Sequence, residues 1–189
     1  MNYLITKNNI IANIVVIDDI AFAVKIGALP YYDGAEIGDT YSPPPDLDKL
    51  RADALSRIDG YCSAAIYSGV DVNGKHYSFT QTAQGNIKGM LIEVQNGKTA
   101  FLYCADNEPL TTYTADEIKA IAQVMGEWIN VNTVYYEQLK TWINRETDEA
   151  VLSTIHYGSQ LPNDLMQELV TKLASVGVDI TKYASMLGG

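Results

Sequence analysis

Basic side chains are scarce in this chain: 13 lysines and arginines stand against 23 aspartates and glutamates, for a formal charge of -10. A surface of that sign repels the phosphate backbone of nucleic acids and the headgroups of anionic lipids, so neither is an expected partner. Histidine is scarcer still. His76 and His156 are the only two, and neither has a metal-ligating neighbour two or four positions away, so no metal and no cofactor are expected. Cys62 and Cys104 are the only cysteines. They could form one bridge, but nothing requires it, and free thiols made in a reducing cytoplasm are the expectation. No apolar run approaches the length of a membrane span. The start, MNYLITKNNIIANIVVIDD, lacks the basic and then uninterrupted apolar pattern of a signal peptide.

Local signatures of catalysis are missing too. There is no Gly-x-Ser-x-Gly elbow, no phosphate loop and no dinucleotide-binding glycine pattern. Asp71-Val72-Asn73-Gly74 lacks the remaining ligand positions and the distal glutamate of a calcium loop, and reads as a hairpin turn. The carboxylate pairs Asp18-Asp19, Asp116-Glu117 and Asp148-Glu149 are neighbours in sequence, which says little about a catalytic pair assembled in space. Cys62 falls on the apolar face of a predicted helix, where a packed, inert thiol is the default. The expectation is a protein that is not an enzyme.

What the chain does have is a heptad-like run. Ile118, Ile121, Met125, Trp128, Asn132, Tyr135, Leu139 and Trp142 alternate at spacings of three and four, which puts them on one helix stripe. The stripe is apolar except for Asn132 and holds both tryptophans. Thr114-Ala115-Asp116-Glu117 in front of it fits a capping box, so the helix is predicted from 115 to about 146. Two readings are open. The stripe covers a core of its own chain, with Asn132 solvated or bonded locally. Or copies associate along Ile121, Met125, Trp128, Asn132, Tyr135, Leu139 and Trp142, with Asn132 bonding its symmetry mate in a coiled coil. Trp128 and Trp142 are too bulky for a two-stranded seam, so the second reading favours a homotrimer. The 13 tyrosines, against two tryptophans and three phenylalanines, suit an interface or half-buried strands equally.

The rest of the chain reads as an α+β protein in four parts. Residues 1–42 form a small β-module, with strands over 3–6 and 10–17 about the turn Lys7-Asn8-Asn9, a third strand over 21–26, and then a loop-rich stretch. The prolines of 43–46 make an extended linker. Residues 47–157 form an α+β domain. In it Asp46 caps a helix that runs from Leu47 to near Gly69, and Asn73-Gly74 turns a hairpin. A helix from Thr80 to Asn96-Gly97 follows, and strands 98–104 and 110–113 lead into the long helix. Residues 158–189 form a helical extension, with Asn163 capping a helix to about Gly177 and Asp179 capping a last short one. Its stripe Leu165, Met166, Leu169 and Leu173 is expected to dock on a partner or a neighbouring copy.

Several stretches carry a family resemblance. Asn13-Ile14-Val15-Val16 followed by Ala35-Glu36-Ile37-Gly38-Asp39-Thr40-Tyr41-Ser42-Pro43 resembles the leader module of bacteriophage tail and tail-fibre assembly proteins. Gly69-Val70-Asp71-Val72-Asn73-Gly74-Lys75-His76-Tyr77-Ser78-Phe79-Thr80 and Tyr113-Thr114-Ala115-Asp116-Glu117-Ile118 resemble a phage-tail domain known only as a domain of unknown function. The resemblance covers about residues 10–145 and leaves out the tail 158–189. It implies a non-enzymatic protein made in the bacterial cytoplasm and used in the tail, baseplate or fibre of a virion or tail-like particle, with other tail, baseplate or fibre proteins as partners. The first function expected is a structural part that joins a fibre or receptor-binding module to the particle. The second is a fibre-assembly chaperone that departs. The third is a tail-associated cell-wall hydrolase.

Overall fold

The computed structural model describes residues 1–187, with side chains described through Tyr183. The chain divides into two compact units, Met1–Asp46 and Leu47–Gly189.

In the first unit, β1 (Asn2–Lys7) and β2 (Ile10–Val16) pair antiparallel, with Tyr3 opposite Val15 and Leu4 opposite Ile14. Asn8 and Asn9 make the turn at φ 53° and 62°. Asparagine tolerates that left-handed region better than other residues with a Cβ, and two positive φ angles suit the twist of the flanking strands. The expected third strand over 21–26 is instead helix α1 (Ile20–Lys25). The Asp19 carboxylate accepts from the amides of Ala21 and Phe22 at 2.8 and 3.3 Å, which satisfies first-turn donors that a strand would have offered sideways. The third strand is β3 (Leu29–Pro30), two residues long, on the other side of β1. Leu4, Ile11 and Ala35 form the small buried core, with Ile14, Leu29, Tyr31, Tyr32 and Tyr41 around it.

The second unit opens with α2 (Leu47–Ile58) and α3 (Tyr61–Ser68). These were expected as one helix. Gly60, at φ 81°, breaks them apart in a conformation that an L side chain resists. The hairpin β4 (Val70–Val72) and β5 (Lys75–Tyr77) turns on Asn73 and Gly74, both at positive φ as that turn type requires. Helix α4 (Gln81–Gln95) is capped by Thr80, whose hydroxyl accepts from the Ala83 amide at 3.2 Å. Strands β6 (Ala100–Tyr103) and β7 (Thr111–Thr114) pair antiparallel and lead into α5 (Ala115–Arg145), 31 residues long. The capping box is formed: the Thr114 amide donates to Glu117 Oε2 at 2.7 Å, and the Glu117 amide to Thr114 Oγ1 at 3.3 Å. A short helix not foreseen, α6 (Glu149–Thr154), starts on Asp148, whose carboxylate accepts from Ala150 and Val151. Helix α7 (Asn163–Ser175) begins after Pro162, so Asn163 is its first residue and makes no capping bond. A 3-10 segment (Ile180–Leu187) follows Asp179, whose carboxylate accepts from the Thr181 amide.

Helix α5 serves two cores. Its first half packs Ile118, Ile121 and Met125 with Val72, Tyr77, Phe79, Ile87 and Phe101. Its second half packs Val131, Tyr135, Leu139 and Ile143 with Ile58, Leu152, Leu165, Leu169 and Leu173. The stripe expected to join copies is therefore the spine of the chain's own core. Ile121, Met125, Asn132, Tyr135 and Leu139 are buried, and Trp128 and Trp142 are half-buried. The extension is corrected in the same way. Leu165, Leu169 and Leu173 are buried against the chain's own second core, and Met166 packs at its edge. The physical reason is common to both. An apolar stripe must be covered, and here α2, α6 and α7 return to cover it from far along the sequence.

Candidate functional site

Asn132 is bonded inside the chain through both ends of its amide. Its side-chain amide donates to the Trp128 carbonyl at 2.8 Å, and its Oδ1 accepts from the Tyr157 hydroxyl at 2.8 Å. Tyr135 stands beside it, donating its hydroxyl to the Ser159 carbonyl at 2.7 Å and accepting from the Gly158 amide at 3.0 Å. Tyr157 meets Tyr135 edge-on, with ring centroids 5.2 Å apart. The network pins the loop after α6 to the middle of α5. Cys62 joins it at the margin, its sulfur 3.6 Å from the Asn132 carbonyl oxygen. Burial pushes the Cys62 thiol up, against a smaller lowering from Tyr157, so at neutral pH it is a thiol and not a thiolate nucleophile. Cys62 and Cys104 are both free.

Next to this network lies a cavity of about 390 Å3 lined by Ser56, Arg57, Tyr61, His156 and Tyr157. Arg57, His156 and Tyr157 among them are engaged in closing the local fold. Arg57 donates to the Leu152 and Ile155 carbonyls at the end of α6. His156 Nδ1 lies 2.9 Å from the Thr154 carbonyl and 3.0 Å from Ser159 Oγ. Among the described residues, no group of three or more His, Cys, Asp or Glu side chains is placed to hold a metal ion. No helix among them is long and apolar enough to cross a membrane.

His76 is the other histidine, and it ties the hairpin to α3. Nδ1 lies 2.8 Å from Asp71 Oδ1 and Nε2 lies 2.7 Å from the Ser68 carbonyl. Both partners only accept, so both ring nitrogens must donate and the geometry favours the imidazolium. The Asp71 hydrogen bond, then the Ser68 carbonyl, raises the His76 pKa above its ordinary 6.5. A pKa raised on folding gives stability that is full below 6.5 and is lost as pH rises through the folded value. The side chain is 47% exposed, so solvent screens the pair and the effect is small. A proton NMR titration should show His76 titrating above His76 in an Asp71→Asn variant. Equal midpoints would contradict the pairing.

At the far end of α5, Arg145 and Asp164 form a two-bonded pair, one contact at 2.9 Å, that holds the Asp164 carboxyl down at about 2. Glu127, buried in the same helix, accepts from Tyr183 at 3.0 Å and from Gln123 at 2.9 Å, with Lys182 at 3.5 Å. Burial raises its pKa, but those bonds and that charge outweigh it, and the net shift is downward. The charged side chains of this face thus hold α7 and the 3-10 segment in place.

A cluster of exposed apolar side chains lies in the first unit. Of α1, only Ala23 is buried. Ile20, Phe22, Val24 and Ile26 are exposed, Val24 at 73%, and so are Met1 and Val16. Ala21 to Ile26 read as a strand because the segment is mostly apolar and includes branched residues. The overlooked signal was Asp19 directly before it, an N-cap residue.

The sequence pattern of one known family, a domain of unknown function (DUF4376), matches residues 49–156. No curated protein matches the chain, and no solved structure does. The match covers more than half of the chain and runs from α2 past the end of α6. It falls on the stretch whose motifs resemble a phage-tail domain of unknown function, and the chain belongs to that family.

Proposed function

We propose that the chain is a non-enzymatic structural component of a bacteriophage tail or tail-like particle, where it joins a fibre or receptor-binding module to the rest. Family membership and the phage-tail resemblance support the setting. The observation that carries the joining role is the exposure of Ile20, Phe22 and Val24 around α1 and of Ile26 at its C-cap. Burying such side chains supplies about 1.5–3 kcal/mol each when complete, enough in sum to offset part of the cost of association. Asp18 and Asp19 stand at the start of the run, and acidic side chains outnumber basic ones in the module. The partner that fits is a tail or fibre subunit with an apolar strip bordered by lysine or arginine. The contact surface proposed is α1, with the α5 stripe as scaffold.

Mass spectrometry of purified particles tests this. The wild-type chain should be present at a fixed copy number. A Phe22→Ser, Val24→Ser variant should keep its circular dichroism and be missing from particles. Absence of the wild-type chain would overturn the structural role in favour of a chaperone that departs. Undiminished incorporation of the variant would overturn the α1 contact. Release of muropeptides from purified peptidoglycan would overturn the non-enzymatic reading.

A further inference from the structure

Two phenols meet at a cavity of about 380 Å3 lined by the β4–β5 hairpin, β7 and the first turns of α5. Tyr77 and Tyr113 are 3% and 5% exposed, and their hydroxyl oxygens lie 3.0 Å apart. Two hydroxyls bring two hydrogens, and only one can sit between the oxygens. Among the described residues neither hydroxyl has a further partner. Burial, then the bond to Tyr113, raises the Tyr77 pKa, so Tyr77 keeps its hydrogen at neutral pH. A buried donor without an acceptor is unfavourable. The cavity both rings line is where an acceptor can be supplied.

The rest of the lining sets what the acceptor belongs to. Lys75 is already paired with Glu108 at 2.6 Å. Glu117 Oε2 is held by the capping box, where its bonds to Thr114 lower its pKa. One ammonium against two carboxylates repels an anion, and with both carboxylates already bonded and a phenol hydrogen left to donate, the site offers a cation no ready ligand. Asn73 and Thr112 add an amide and a hydroxyl, each able to donate and accept. The volume falls within the range of small-ligand pockets. We propose that this cavity binds a neutral polyhydroxylated molecule, a sugar unit, whose oxygen accepts the spare phenol hydrogen of the Tyr77–Tyr113 pair. This site does not depend on the docking role of α1.

The test is a titration of the 15N-labelled full chain with methyl α-D-glucopyranoside and methyl α-D-galactopyranoside to about 100 mM, a range suited to weak single-sugar binding. Sodium acetate and methylammonium chloride serve as charged comparators. Saturable amide shifts at Asn73, Lys75, Thr112 and Tyr113 with at least one glycoside, and not with the ions, are expected. Tyr77→Phe and Tyr113→Phe should each keep binding within about threefold, because each leaves one hydroxyl hydrogen free for the sugar. The double variant removes both and should weaken binding about tenfold or more. Thr112→Val, at an exposed strand position, gives a second reading should the double variant fail to fold, with weakening expected there too. No saturable shift with either glycoside, equal shifts with acetate or methylammonium, or undiminished binding in the double or Thr112 variant would overturn the site.

Discussion

Gly69→Ala is expected to destabilise the second unit by about 4 kcal/mol or more, one of the largest effects of any single substitution in the chain. Gly69 joins α3 to β4 at φ 77° and ψ -163°, a region essentially reserved for glycine. A Cβ there would lie 1.8 Å from the Tyr77 carbonyl oxygen and 2.7 Å from the Ser78 Cα. Those neighbours are backbone atoms of the β5 end and cannot rotate aside. Relief requires the hairpin to move away from α3, which disturbs the Phe79 amide bond to the Tyr67 carbonyl and the packing of Tyr77 and Phe79. Gly85→Ala is the matched control. Gly85 lies inside α4 with nothing within 4 Å of the added carbon, so alanine should stabilise by roughly 0.5–1 kcal/mol through helix propensity. Urea unfolding of the two variants checks both signs. Equal, small changes would mean that α3 and β5 do not approach as described.

Truncation after Gly158 is expected to abolish cooperative unfolding of the second unit. The cut removes Leu161, Leu165, Leu169 and Leu173, each at most 3% exposed, from the core around Tyr135, Leu139 and Ile143. It also removes the Ser159 carbonyl that accepts from Tyr135, and the Tyr183 hydroxyl that donates to Glu127. A graded version is Leu169→Ala, which should cost about 2–5 kcal/mol for a fully buried leucine. A segment that served only to dock on another molecule would come away without loss, so a truncated chain that melts as sharply as the full one would contradict the fold. The family match ends at 156, yet the core it belongs to is completed by residues beyond it. The folding unit is therefore longer than the shared sequence pattern.

The elements legible in the sequence are those set by local chemistry. The Thr114–Glu117 box, the Asn73-Gly74 turn and the Thr80 cap each depend on a few adjacent residues, and each formed. Two local readings failed because an apolar pattern outweighed a single punctuating residue. In Leu47, Leu50, Ala54, Ile58, Tyr61 and Ala65 the helical spacing runs straight through Gly60, which nevertheless ends α2. In Ala21 to Ile26 the apolar and branched residues suggested a strand, and the Asp19 cap decided otherwise. What covers the α5 stripe was not local at all. The heptad spacing is the same whether Leu139 meets a symmetry mate or Leu152 and Leu169 of its own chain. The Tyr77–Tyr113 pair brings together residues from two hairpins 36 positions apart, and no spacing rule reaches that far.

The central claim is that the apolar ridge of α5 is closed by its own chain. Amide hydrogen exchange through residues 131–143, measured at about 1 and about 100 μM, tests it by mass action. The account expects the same protection at both concentrations, since each chain carries its own cover. Protection that falls on dilution would show that a second molecule supplies the cover, and would contradict it.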